Sequence, residues 1–145
     1  LLENKSFLRN QNFVTSKIIK SAINISKNNE QKLILGNIDI YRDWGWAPEY
    51  VEAMWLMLQK DKLKDYVIGT GQTNSLRDFI RLSFDYFGLN YEDFLEIDKN
   101  LFRPSDIIEN HCDPSLAFNE IGWKFKSNLS STIEKIISKT LLEIK

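Results

Sequence analysis

The chain has 145 residues, enough for one domain with an adequate core. Its 43% hydrophobic content, with nine Phe, five Tyr and four Trp, excludes intrinsic disorder. Nineteen basic residues against twenty acidic ones leave a formal charge of −1, which provides no general attraction to nucleic acid or an anionic membrane. No stretch approaches the roughly 18 uninterrupted apolar residues of a membrane span. The single cysteine, Cys112, rules out an internal disulfide framework and any multi-cysteine metal cluster. Leu1-Leu2-Glu3 has neither the basic region nor the apolar run of a secretory leader, so a soluble, cytoplasmic protein is expected.

Residues 13–27 read as a helix whose core band is Val14, Ile18, Ala22 and Ile25, widened by Ile19 and Ile23 and ended by Asn28-Asn29. Residues 32–35 read as a strand closed by the Gly36-Asn37 turn, and residues 38–40 as a second extended piece. Ala47-Pro48-Glu49 opens a helix over 47–59, since Pro fits a first turn and Glu49 suits the positive end of the helix dipole. Val51, Met54, Trp55 and Leu58 follow i, i+3, i+4, i+7 and predict a buried stripe. Residues 66–68 read as a buried strand ending at Gly69-Thr70-Gly71.

Ser75 and Asp78 form a capping-box variant for a helix carrying Leu76, Phe79, Ile80, Phe84 and Phe87, with Gly88 as its C-terminal cap. A short extended piece is expected at 94–97, and Asp113-Pro114 opens a short helix that stops before Gly122. Ser131 with Glu134 predicts the start of a last helix, with Ile133, Ile136, Ile137, Leu141 and Ile144 on its core side. The class is α/β or α+β, mostly helices with strands too few and short to form a full parallel sheet alone.

The motifs of a complete active site are missing. Gly69-Thr70-Gly71 follows a predicted strand, but the third glycine position of a dinucleotide fingerprint is Asn74, so a plain strand-to-helix turn is the better reading. No Tyr-x-x-x-Lys pair exists: the residues four after the tyrosines are Gly45, Met54, Thr70, Asn90 and Leu95. His111 is the only histidine and has no second ligand cluster to complete a metal site, so no metal is expected. Trp44 and Trp46 could stack on a base, but core packing explains them as well.

Groups suited to an anionic ligand remain. Arg42 stands at a strand-to-loop transition, where a guanidinium can clamp a diphosphate. Lys17 lies in the first turns of a helix, whose N–H groups already favour phosphate. Arg103 precedes a stiffening Pro104, and Asp106 can accept hydrogen bonds from ribose hydroxyls. Each of these, taken alone, is better read as a solvated surface charge.

Five strings weigh against that plainer reading: NFVTSKI (12–18), LGNIDIYRDWGWAPEYVEAMWLMLQ (35–59), DYVIGTGQTNSLRDF (65–79), FRPSDI (102–107) and DPSLAFNEIGWK (113–124). Together they resemble the C-terminal part of a GDP-mannose 4,6-dehydratase, an extended short-chain dehydrogenase/reductase of nucleotide-sugar metabolism. The 35–59 string is specific to that family, while DP…GWK is shared across related epimerases and dehydratases. The resemblance implies that residues 1–145 form the substrate-binding C-terminal domain, and that the N-terminal Rossmann domain is absent from this chain. That domain would bind NADP and carry the catalytic Thr or Ser, Glu and Tyr-x-x-x-Lys set. Residues 47–69 would pack on it. The implied substrate is GDP-mannose, and the implied full-length enzyme is a homo-oligomer, dimer or tetramer.

By the same resemblance, Val14 and Lys17 lie beside GDP, and Leu35, Gly36 and Asn37 make the guanine-side contact. Arg42 meets the diphosphate, Arg103 a phosphate or ribose, and Asp106 the ribose, with Asp where the family usually has Glu. Arg9 keeps a cofactor-contacting arginine, whereas Asn4 replaces a histidine at the other cofactor position. Trp46 also stands where many members have histidine. The alternatives are another nucleotide-sugar epimerase or reductase of the superfamily, or a free-standing binding module without catalysis.

Overall fold

The structure is a computed structural model that describes the backbone of residues 4–5 and all of residues 13–28, 31–62 and 64–144. Helix α1, Val14–Ser26, begins after Phe13 and ends where Asn28 adopts a positive φ of 61°. All of its predicted band except half-buried Val14 is buried. Strand β2, Leu33–Leu35, pairs in parallel with β6, Leu95–Ile97, in the register Leu33↔Leu95 to Leu35↔Ile97.

Residues 38–40 form no strand; the extended pairing comes one step later, in β3, Tyr41–Arg42. Strand β3 pairs antiparallel with β5, Asn74–Ser75, and on its other side Tyr41 bridges Glu109. The Tyr41 N–H donates to the Ile108 carbonyl at 2.7 Å, and the Asn110 N–H to the Tyr41 carbonyl at 3.2 Å. A third two-stranded sheet, parallel like the first, joins β1, Asn4–Lys5, to β4, Gly45–Trp46.

Helix α2, Ala47–Leu58, follows β4 directly. Helix α3, Leu76–Asp85, starts as the capping reading requires, with the Asp78 N–H donating to Ser75 Oγ at 3.0 Å. It stops three residues before Gly88, whose φ of +69° reverses the chain. Helix α4, Ser115–Ile121, closes on left-handed Gly122, and α5 spans Leu129–Glu143. The N-cap of α5 is Asn128, not the predicted Ser131: Ser131 is the third helical residue and returns the capping bond to the Asn128 N–H. An asparagine accepts that bond as well as a serine does, so the box lies three residues earlier. Ile144, placed on the core side by periodicity, lies beyond the last helical turn and is exposed.

Two apolar cores result. In the first, α1, α3 and α5 pack pairwise through Ile18, Ile19 and Ile23, Phe79, Ile80 and Phe84, and Ile133 and Ile137. Each such side chain contributes about 1.5–3 kcal/mol by leaving water. The second gathers Tyr50, Ala53, Ile68, Ala117, Ile121 and Trp123 between α2 and α4, and Phe125 leans on both.

Two expectations fail here together. Val51, Met54, Trp55 and Leu58 are exposed, and the buried face of α2 is Tyr50 and Ala53. Residues 66–68 belong to none of the three sheets, and Val67 is 49% exposed although Ile68 is buried. Periodicity correctly put the four apolar residues on one face of α2, but no described element covers that face. No helix among the described residues is long and apolar enough to cross a membrane.

Candidate functional site

A cavity of about 720 Å³ opens between the first turn of α1, the β2 turn, β3 and the segment after Leu101. Its volume falls in the usual range of roughly 300–1,000 Å³ for small-molecule pockets. Val14, Lys17, Leu35, Gly36, Asn37, Arg42, Arg103 and Asp106 all line it, so the fold brings the eight expected substrate-side residues to one place. Of the two cofactor-side residues, Arg9 lies outside the described residues. Asn4 is described by its backbone, which pairs with Gly45.

The local reasons for this convergence are simple. The 35–37 turn fits closely because Gly36 has no side chain: a Cβ there would lie 2.7 Å from the Leu101 carbonyl oxygen. Asn37 stabilises the turn by accepting the Asp39 N–H on Oδ1 at 2.9 Å. Lys17 reaches from α1 to β2, donating to the Ile34 carbonyl at 2.6 Å. Arg42 donates through Nη1 to the Tyr41 carbonyl at 2.7 Å and the Ile108 carbonyl at 3.3 Å. The rest of its guanidinium has no protein partner among the described residues.

Among the described residues, the charges lining the cavity are three cations, Lys17, Arg42 and Arg103, against one carboxylate, Asp106. That balance, beside the positive end of the α1 dipole, suits a dianionic group. Ile40, Trp44 and Leu76 supply an apolar wall. Trp44 is 2% exposed and meets Phe79 edge-on at 5.2 Å, so packing, rather than an open stacking face, accounts for it. Trp46 is buried in the first core.

The sequence reading missed a second strip of the lining, Asn100, Leu101 and Phe102. A one-turn 3-10 helix at Lys99–Leu101 presents it, started by the Asp98 carboxylate accepting the Asn100 N–H at 2.8 Å. The sequence signal was the Asp-x-Asn spacing in a region that carries no helical or strand period.

Other candidate groups are engaged elsewhere. The N–H groups of Thr70 and Gly71 donate to the two Asp43 carboxylate oxygens, which leaves that turn poorly suited to cradling a phosphate. His111 stands on the surface with Nδ1 2.9 Å from Thr73 Oγ1 and Nε2 3.0 Å from Glu109. No cluster of three metal-ligating side chains exists among the described residues. Burial, and then the nearby Asp43 charge, push the Cys112 thiol up to about 11, so it stays protonated at neutral pH.

The sequence profile of the GDP-mannose 4,6 dehydratase family matches residues 1–136. GDP-mannose 4,6 dehydratase 1 of Arabidopsis thaliana is 42% identical over 141 residues, covering 97% of this chain and 39% of the relative. The Dictyostelium discoideum GDP-mannose 4,6 dehydratase is 33% identical, covering 100% of this chain and 46% of the relative. The chain therefore spans less than half the length of these relatives. Among solved structures, the fold matches RMD from Pseudomonas aeruginosa complexed with NADPH, with a TM-score of 0.81 at 18% identity over 98% of this chain and 46% of that one. It matches dTDP-glucose 4,6-dehydratase from Bacillus anthracis in complex with NAD, with a TM-score of 0.82 at 14% identity over 98% of this chain and 43% of that one. The fold is that of the matching part of these two structures.

Proposed function

Because the chain belongs to the GDP-mannose 4,6-dehydratase family, we propose that it is the C-terminal, substrate-binding part of an enzyme converting GDP-mannose to GDP-4-dehydro-6-deoxy-D-mannose. The observation that carries this reading is the one cavity on which the eight expected residues, three of them cations, converge. Lys17 and the α1 N-terminus hold the GDP phosphates, and Arg42 clamps the diphosphate. The 35–37 turn abuts the guanine. Arg103 completes the phosphate or ribose contacts, and Asp106 accepts from the ribose hydroxyls.

The overall change is an internal redox and a loss of water: C4 is oxidised, water leaves across C5–C6, and C6 is reduced. The chemistry that bound NADP supplies is storage of the hydride between C4 and C6. The neighbours bound to NADPH and NAD support a nicotinamide cofactor, and the family resemblance favours NADP. The remainder of the full-length protein is proposed to hold it and the Tyr-x-x-x-Lys set that this sequence lacks. The exposed face of α2 and residues 66–68 dock on that remainder, consistent with an apolar helix face that no described element covers and with the 49% exposure of Val67 beside it. A cytoplasmic homo-oligomer is the assembly this reading entails.

The test uses the full-length protein. With GDP-mannose and NADP it is expected to form the 4-keto product, while the 145-residue chain alone forms none. GDP is expected to raise the thermal midpoint more than UDP or dTDP; preferential stabilisation by UDP would overturn the guanine assignment. Lys17→Ala and Arg42→Ala should each weaken GDP binding by about 10- to 100-fold, the worth of a charge-assisted contact.

A further inference from the structure

Arg42 and Asp43 are adjacent in the chain but serve opposite sides of it. Arg42 lines the cavity, while Asp43 is 1% exposed and turns its carboxylate to the 69–71 turn. There Oδ1 accepts the Thr70 N–H at 2.9 Å and Oδ2 the Gly71 N–H at 2.8 Å. Gly71 has a φ of +73°, a left-handed conformation of the kind that lets successive N–H groups converge on one anion. The fit allows no slack: a Cβ on Gly69 would collide with Cys112 Sγ and lie 3.1 Å from Asp43 Oδ2.

Burying a carboxylate is unfavourable unless its oxygens are satisfied. The neighbouring guanidinium was one available partner, yet no ion pair joins Arg42 to Asp43 among the described residues. Backbone amides satisfy Asp43 instead, which leaves the Arg42 charge uncompensated at the cavity.

We propose that Asp43 is a positioning residue for the nucleotide diphosphate, a role that rests on the GDP-binding reading above. It pins the link between β3 and β4 to the 69–71 turn. Arg42 is thereby held against the Tyr41 and Ile108 carbonyls on one side of the anchor, and Trp44 against Phe79 on the other. The guanidinium is set in place before the ligand arrives, so binding does not have to order it.

The measurement is calorimetric titration of GDP and GMP into the protein expressed from its full coding sequence. Wild type, Asp43→Asn, Arg42→Ala and the double variant are compared. If Asp43 acts through Arg42, Asp43→Asn lowers GDP affinity by about tenfold or more and GMP affinity by no more than about threefold. In the Arg42→Ala background it changes either by less than about twofold, because coupled residues are not additive. Equal losses on GDP and GMP, or the same loss with and without Arg42, overturn the proposal and leave Asp43 a structural anchor. Failure of the wild type to bind GDP at all overturns the site reading itself, and this proposal with it. Should Asp43→Asn not fold, amide hydrogen exchange on the wild type decides. GDP is expected to slow exchange at Thr70 and Gly71 more than GMP at equal occupancy, and equal slowing overturns the role.

Discussion

Glu49 stands in the first turn of α2, where a carboxylate favours the helix dipole, but it also fastens α2 to the chain entering α5. Its Oε2 accepts the Lys126 N–H at 2.7 Å, Ser127 Oγ donates to Oε1, and Lys135 Nζ lies 3.5 Å from Oε1. Its backbone carbonyl accepts the buried Trp123 indole N–H at 3.0 Å. Burial alone would push the Glu49 carboxyl up, but the bonds from Ser127 and Lys126 and the Lys135 charge together hold it below its ordinary value of 4.5. A depressed carboxyl contributes stability that is present above its unfolded pKa and lost as pH falls through the lower folded value. Glu49→Gln should therefore cost about 1–3 kcal/mol at pH 7, and the gap to wild type should narrow as pH drops below the ordinary carboxyl value. Denaturant titrations at pH 7 and at acid pH check this; a gap that does not change with pH would show that the charge contributes nothing. The sequence revealed only the local half of this residue, its place beside Pro48. Its partners lie 74 to 86 residues away, a distance that no spacing rule spans.

At the scale of elements, what was legible followed from local chemistry. The α1 band, the Ser75 cap of α3, and Gly122 closing α4 were all readable, because each depends on residues within a turn of one another. Helix α2 shows where that reasoning stops. It is apolar nearly all round, a pattern that ordinarily means burial on every side. Its 3.6-residue period identified the Val51–Leu58 stripe as one face but could not say which of two apolar faces this chain would cover. The inner face went to the smaller choice, with Ala53 at its centre, and left Trp55 61% and Leu58 74% exposed. If that outer face docks on the rest of a longer protein, substitution there has a context-dependent cost. Trp55→Gln with Leu58→Gln should shift the stability of the 145-residue chain by no more than about 0.5 kcal/mol per site, as exposed positions do. In the full-length protein the pair should cost about 1.5–3 kcal/mol per side chain, the worth of a buried one. Denaturant midpoints of the two lengths make the comparison, and an equal cost in both would rule out docking through this face.

For the whole molecule, the candidate site and the packing were legible by different routes. Lys17, Gly36, Arg42 and Arg103 sit on four separate segments, and their residue types alone left each as an ordinary surface charge or turn; the family resemblance supplied the grouping, and the fold places them on one cavity. Asn100 and Phe102 escaped notice because a 3-10 turn leaves no periodic trace. The division into two cores was not legible at all, since it depends on which faces remain uncovered. The core of α1, α3 and α5 is enclosed by three helices, whereas the Tyr50–Trp123 core is roofed by two, α2 and α4, and backed by the 66–68 segment, which joins no sheet. A unit with fewer buried apolar contacts opens at lower free-energy cost. Hydrogen exchange of the 145-residue chain in rising, sub-denaturing urea should therefore release the amides of α2 and α4 before those of α1, α3 and α5. Phe125 leans on both cores, and the Asp43 carboxylate ties the β3–β4 link to the 69–71 turn beside Ile68, so the weaker unit is hinged to the stronger rather than independent of it. Release of all five helices at one urea concentration would show that these two ties make the cores a single cooperative unit. Release in two steps would place the boundary between a stable body of α1, α3 and α5 and a face held in order by whatever covers α2.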